Sequence, residues 1–176
     1  MNIVLIGYRC TGKSSVGRIL SARLRMPLYD TDDMIGNQSG KTVSEIVRTG
    51  GWESFRRMEK EIVRGLEKVD RSVIVPGGGA VMDEECRISL SRKGIFFWLT
   101  AEPSIILSRM CADGRSAGQR PPLSGGGAQD ERAQMDLRRP VYLSLADFRI
   151  DTTSRTVEET AERIREILEK NSIRQG

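Results

Sequence analysis

Gly7-Tyr8-Arg9-Cys10-Thr11-Gly12-Lys13-Ser14 is the stretch from which the rest of the chain can be read. It spells G-x-x-x-x-G-K-S. The apolar run Ile3-Val4-Leu5-Ile6 precedes it, and Val16, Ile19, Leu20 and Leu24 follow at the three- and four-residue spacing of a helix. Strand, glycine-rich turn and helix together are the setting in which this P-loop pattern marks a phosphate site. Glycines let the backbone curl until its N–H groups converge on a polyphosphate, and the positive end of the helix adds to the attraction. In that arrangement Lys13 reaches the β- and γ-phosphates, and the Ser14 hydroxyl sits on Mg²⁺. The plain alternative is a glycine turn carrying a surface lysine.

Outward from this loop, strand-like and helix-like patterns alternate. Residues 2–6 read as a buried strand and 13–25 as the helix closing over it, ended by Pro27. Leu28-Tyr29 leads into a short second strand that ends in Asp30-Thr31-Asp32-Asp33. Helical patterning runs from Asp33 to about Gln38, and Gly40 breaks it. Thr42 then caps a short helix with Glu45 as its partner three residues on. Gly50-Gly51 separates that helix from a longer one over 52–69, striped by Trp52, Phe55, Ile62, Leu66 and Val69. Val73-Ile74-Val75 is the third strand, closed by Pro76-Gly77-Gly78-Gly79. A helix from Asp83 ends at Gly94, Ile95–Leu99 is the fourth strand, and Glu102–Met110 is helical. Residues 112–128 are rich in Gly, Ser, Pro and Arg and too polar to bury, which reads as a mobile lid. A helix from about Asp130 to Leu145, a short strand at Phe148-Arg149-Ile150 and a helix from Val157 to Leu168 complete the chain. The expected fold is α/β: a three-layer α-β-α sandwich around a five-stranded parallel sheet, in one domain over 1–176. Ligands of such sheets bind beyond the carboxyl ends of the strands, which gathers the P-loop, Asp30–Asp32 and Gly77–Gly79 on one rim.

Composition narrows the chemistry. A chain that is 38% hydrophobic and 30% charged reads as soluble and globular. Cys10, Cys86 and Cys111 have no paired spacing, so neither a disulfide frame nor a zinc site is implied. Histidine is absent, which excludes serine–histidine and cysteine–histidine catalysis and any histidine metal site. The net charge of +4 is carried mostly by arginine, whose fork suits a small anionic substrate. No aromatic platform accompanies the basic residues, so no nucleic-acid partner is expected. With no signal-peptide pattern before Ile3 and no apolar run near ~18 residues, the expectation is a cytoplasmic, membrane-free protein that is monomeric.

Four groups of residues are suited to phosphoryl transfer. Asp30 and Asp32 stand two apart at a strand end, where a period of two points both carboxylates the same way. One can serve near the metal while the other orients or deprotonates an acceptor hydroxyl. The alternative is an Asp-rich turn with Asp32 or Asp33 as N-cap. Arg56 has Glu59 three residues on, placed to orient it. Gly77, Gly78 and Gly79 offer backbone N–H groups to a small polar ligand. Arg115 and Arg120 sit in the lid, where an arginine over the γ-phosphate supplies transition-state charge. Arg138 faces cleft or solvent equally well on sequence alone.

Assembled, these pieces resemble the shikimate kinase family. The resemblance runs from the P-loop through Asp30-Thr31-Asp32, Phe55-Arg56 with Glu59, Gly77-Gly78-Gly79-Ala80, Arg120-Pro121-Pro122-Leu123 and Arg138 to Tyr142. It implies a P-loop kinase fold and transfer of the γ-phosphoryl of ATP to the 3-hydroxyl of shikimate. It implies that Cys10, Thr11, Gly12, Lys13, Ser14 and Ser15 cradle the ATP phosphates, with Ser14 on Mg²⁺ and Asp30 near the metal through water. Asp32 then binds the shikimate hydroxyls and is the candidate base, Arg56 and Arg138 clamp the carboxylate, and Gly78 donates an N–H. Arg120 acts on the phosphates, while Arg109 and Arg155 lie beside adenine. Trp52, where the family usually has Glu, Val47, where an aromatic residue is frequent, a longer lid over 112–119, and Cys10 depart from the pattern. The alternatives are a kinase of gluconate or a nucleoside monophosphate on the same scaffold and, from another class, a GTP-dependent switch. Against the switch, Asp33-Met34-Ile35-Gly36 follows the wrong strand for its D-x-x-G, and no N-K-x-D motif occurs.

Overall fold

β1 (Asn2–Ile6) is buried along its whole length because both of its faces are covered. In this computed structural model, which describes residues 1–112 and 127–173, β1 is the middle strand of an all-parallel sheet ordered β2-β3-β1-β4-β5. The other strands are β2 (Leu28–Asp30), β3 (Val73–Val75), β4 (Gly94–Thr100) and β5 (Phe148–Asp151). Val4 pairs with Ile74 on one side and with Phe96 on the other, and Asp30 pairs with Val75. Short strands of Val, Ile and Leu suit a sheet buried on both faces, where a branched side chain packs whichever way it points.

Seven α-helices are present among the described residues: α1 (Lys13–Leu24), α2 (Thr31–Ser39), α3 (Val43–Gly65), α4 (Glu84–Ser91), α5 (Pro103–Ala112), α6 (Ala128–Leu145) and α7 (Val157–Ile173). Ile3, Leu5, Phe97 and Leu99 pack with Val16 and Leu20 of α1 and Ile164 of α7 to form one layer. On the opposite face Val4, Ile6, Phe96 and Trp98 meet Val63 of α3, Leu90 of α4 and Tyr142 of α6. This is the three-layer sandwich expected from the alternation of patterns. A smaller cluster of Ile35, Ile46, Phe55 and Ile62 joins α2 to α3 and builds a platform at the β2 edge.

Two local expectations are corrected, the start of α2 and the end of the long helix. α2 begins at Thr31 rather than Asp33, since Asp30 is its N-cap and accepts the Asp32 N–H at 3.1 Å. The break expected at Gly50-Gly51 is present: Gly51 leaves helical geometry at φ 71°, a value that glycine adopts without a Cβ clash, and kinks α3 into two helical segments. α3 stops at Gly65, and a single 3₁₀ turn carries Leu66–Lys68. The Thr42–Glu45 capping box is present as expected, with both reciprocal bonds. The lid expected over 112–128, including Arg115, Arg120, Pro121 and Pro122, lies almost wholly outside the described residues.

Candidate active site

The sheet order places the candidate residues along its carboxyl rim. Asp30 stands at the end of β2, Gly77–Gly79 beyond β3, the P-loop beyond β1, and Ala101 and Thr152 beyond β4 and β5. Three regions result: an acceptor side over β2 and β3, a phosphate loop in the middle, and a far side over β4 and β5.

Lys13 is the first residue of α1, and Gly12 caps the helix at φ 93°. The ammonium is 7% exposed and donates to the carbonyls of Gly7 and Tyr8, both at 2.8 Å. Thr11 turns inward, its hydroxyl donating to the Tyr8 carbonyl at 2.8 Å. The loop is thus closed by its own side chains, and the positive helix end with Lys13 is set for an anion.

Asp30 and Asp32 do not point the same way. The period-of-two expectation fails because Asp30 ends the strand while Asp32 already belongs to α2. Asp30 Oδ2 accepts the Ser14 hydroxyl at 2.6 Å, which ties the end of β2 to the start of α1. Asp32 instead lines a small pocket with Arg9, Trp52, Arg56, Glu59 and Arg138, floored by Gly77–Gly79. Thr31, between the two aspartates, accepts the Gly77 N–H at 2.9 Å. The two carboxylates therefore serve different regions of the rim.

The pocket brings together both arginines of the expected clamp. Arg56 is paired with Glu59 and lies over Trp52 at 5.4 Å and Phe55 at 5.3 Å. Arg138, left open by the sequence, faces the pocket: it is 8% exposed and lies over the Tyr8 ring at 5.4 Å. Aromatic faces hold a guanidinium without neutralising it, so Arg138 keeps its charge for an anion, whereas Arg56 shares its own with Glu59. A Cβ at Gly77 would collide with the Glu59 carboxylate, and one at Gly79 with the Arg56 guanidinium. Two of the three glycines are therefore demanded by the side chains above them.

Glu59 is 1% exposed, and its Oε1 has no hydrogen-bond partner among the described residues. Burial pushes its carboxyl above the ordinary Glu range; Arg56 opposes this and the nearby Asp32 charge reinforces it. A folded pKa above the unfolded one gives a stabilising contribution that is complete below the unfolded value and lost as pH rises through the folded one. The melting temperature of the wild type minus that of Glu59→Gln should therefore decline as pH rises from about 4.5. A flat difference would show the carboxyl to be unperturbed, and one that grows with pH would show it to be lowered; either overturns the upward shift.

On the far side, Arg109 donates to the Cys10 carbonyl at 3.4 Å and to the Thr152 carbonyl at 2.7 Å, fastening α5 to the P-loop and to the end of β5. Arg155 is exposed and donates to the Asp151 carbonyl at 2.8 Å. Arg120 is not among the described residues. Glu131 and Tyr8 were missed by the sequence reading. Glu131 is buried, accepts the Tyr8 hydroxyl and lies 3.7 Å from Arg9. The available signal was its position seven residues before Arg138, on the same face of α6.

A P-loop on the middle strand of a parallel sheet, beside a pocket holding two arginines and an aspartate, defines a phosphotransferase for a small hydroxylated anion. The shikimate kinase family model matches residues 9–169. A shikimate kinase of Symbiobacterium thermophilum is 41% identical over 99% of this chain and 99% of its own, and one of Syntrophus aciditrophicus is 38% identical over 96% and 90%. The structure of Acinetobacter baumannii shikimate kinase in complex with shikimate superposes with a TM-score of 0.89 at 29% identity, covering 97% of this chain and 93% of that one. The chain belongs to the shikimate kinase family. It transfers the γ-phosphoryl of ATP to the 3-hydroxyl of shikimate, a step of the shikimate pathway.

Proposed function

We propose a division of this reaction among the residues of the rim, resting on one observation: Asp32, Arg56 and Arg138 share a pocket floored by Gly77–Gly79, one strand away from the P-loop. Arg56 and Arg138 hold the shikimate carboxylate, Gly78 donates its N–H, and Asp32 receives the hydroxyls. Asp32 accepts the proton of the attacking hydroxyl as the oxygen bonds to the γ-phosphorus and the bond to the β-phosphate oxygen breaks. Cys10 to Ser15 cradle the phosphates, and Lys13 meets the charge that develops on them. Arg109 and Arg155 flank the adenine. Arg120, outside the described residues, keeps the phosphate role its motif implies.

Ser14 and Asp30 fit Mg²⁺. Their oxygens are 2.6 Å apart, and among the described residues no group of three His, Cys, Asp or Glu side chains forms a fuller metal site. One hydroxyl and one carboxylate suit a hard ion whose remaining ligands are water and phosphate. When bound there, Mg²⁺ neutralises charge on the β- and γ-phosphates.

The reading extends to a single-domain, cytoplasmic monomer that needs no nucleic acid or membrane. The described residues of both half-sites, whether from strand ends or from helices, gather over one rim of one sheet, and no described helix is long and apolar enough to cross a membrane. An ADP-release assay with shikimate, gluconate and AMP as acceptors tests the acceptor assignment: turnover with shikimate alone supports it, and turnover with gluconate or AMP but not shikimate overturns it.

Arg56→Ala should raise the KM for shikimate by about 10–100-fold, the worth of a charge-assisted pair, with kcat and the KM for ATP changed far less. Because that truncation strands the buried Glu59, the Arg56→Ala/Glu59→Gln double variant serves as the fold control and should keep the KM defect. An unchanged KM in both would remove Arg56 from the clamp.

A further inference from the structure

Behind the phosphate loop, between β4, β5, α5 and α6, lies a second cavity of about 200 Å³. Of its lining residues only Thr11 also belongs to the phosphate cradle, and none belongs to the acceptor pocket. Its inner wall is apolar and aromatic, formed by the buried rings of Tyr8, Trp98 and Tyr142 with Ile106. Its rim is charged in both senses, with Arg139 and Arg149 beside Asp136, Glu102 and Asp151, the last accepting the Thr153 hydroxyl and lying within the field of Arg149. Among the described residues none of these five rim side chains makes a salt bridge, and Arg149 lies over the Trp98 ring at 5.2 Å.

Each feature constrains an occupant. Aromatic walls favour a flat ring, which stacks or meets them edge-on. The volume, below the ~300 Å³ of an ordinary ligand pocket, admits a molecule with a single small ring system. Unpaired guanidiniums ask for a carboxylate, and unpaired carboxylates beside them ask for an ammonium. A molecule of one sign would satisfy half of the rim and be repelled by the other half.

We propose that this cavity is a second ligand site, for a small zwitterion bearing an aromatic ring, of which a free aromatic α-amino acid is the simplest example. The ring lies against Trp98 and Tyr142, the carboxylate meets Arg139 and Arg149, and the ammonium faces Asp136 and Glu102. Two wall residues touch the lining of the acceptor pocket: Arg138 lies over the Tyr8 ring at 5.4 Å, and the Tyr142 hydroxyl donates to the Gly78 carbonyl. A ligand pressing on these rings acts on the clamp arginine and on the glycine floor, and by linkage the acceptor acts back on it.

Calorimetric titration of the full chain with L-phenylalanine is the test. Saturable binding with a Kd of about 0.1–1 mM is expected. The Arg139→Gln/Arg149→Gln variant, altered only at exposed side chains, should bind at least about tenfold more weakly, as should phenylacetate and phenethylamine, which each lack one charge. Binding should survive saturating ADP and saturating shikimate with a Kd changed by less than about tenfold. Absence of saturation, an unchanged Kd in the double variant, equal binding of either one-charge analogue, or displacement by either substrate would each overturn the proposal.

Discussion

Asp32→Asn is expected to lower kcat by about 10²–10⁴-fold, the span of a lost general base, while ATP binding stays within about twofold. Asparagine keeps the size of the side chain and an oxygen that can accept the shikimate hydroxyl, but it cannot take the proton. Asp32 sits in the first turn of α2 and lines the pocket that holds Arg56 and Arg138. Its neighbours are therefore those of the acceptor, and the donor half should remain intact. The magnitude decides between two roles. Phosphoryl transfer passes through a loose transition state, in which proton removal can lag behind bond breaking. A loss of less than about tenfold would make Asp32 an orienting group only. Rate assays at saturating shikimate, with nucleotide titration of the same variant, separate these outcomes.

What could be read from the sequence was what is local. Strand, loop and helix around Gly7–Ser14 need only contiguous residues, as does the Thr42–Glu45 box, and both are found as expected. The strand order is not local: no spacing in the chain says that β3 lies between β2 and β1, yet this order brings Gly77 beside both Asp30 and the P-loop. Asp30 and Asp32 were misread for the same reason. Period-two reasoning assumes that a strand continues, whereas capping by Asp30 turns the chain into a helix between them. Arg138 was ambiguous because an isolated helix has no inside; the Tyr8 ring, 130 positions away in sequence, supplies one. Glu131 escaped because its partners, Tyr8 and Arg9, occupy the variable positions of the P-loop, where the motif carries no information. Trp52 was noted as a departure from the family, and the structure gives the physical consequence: in place of a carboxylate, a ring backs Arg56.

Lys13→Met is expected to lower kcat/KM for ATP by at least about 10²–10³-fold, the loss seen when one aimed donor to a developing charge is removed. Part of the change is structural and can be sized. The ammonium also donates to the Gly7 and Tyr8 carbonyls, charge-assisted bonds worth about 3–6 kcal/mol together. The Tyr8 carbonyl keeps its Thr11 donor, which limits the expected fall in melting temperature to on the order of 10 °C. Arginine should not rescue the variant, since a planar fork is too bulky for a niche in which Lys13 is 7% exposed. A variant that kept its rate within tenfold would remove Lys13 from the chemistry, whatever its role in holding the loop. Combining it with Asp32→Asn tests whether the two halves act on one event. If proton acceptance and charge stabilisation serve the same transition state, losing either already forfeits most of the concerted route. The double variant should then fall no more than about tenfold below the worse single one. Losses that multiply would mean that Asp32 and Lys13 act in separate steps, and the shared transition state would have to be abandoned.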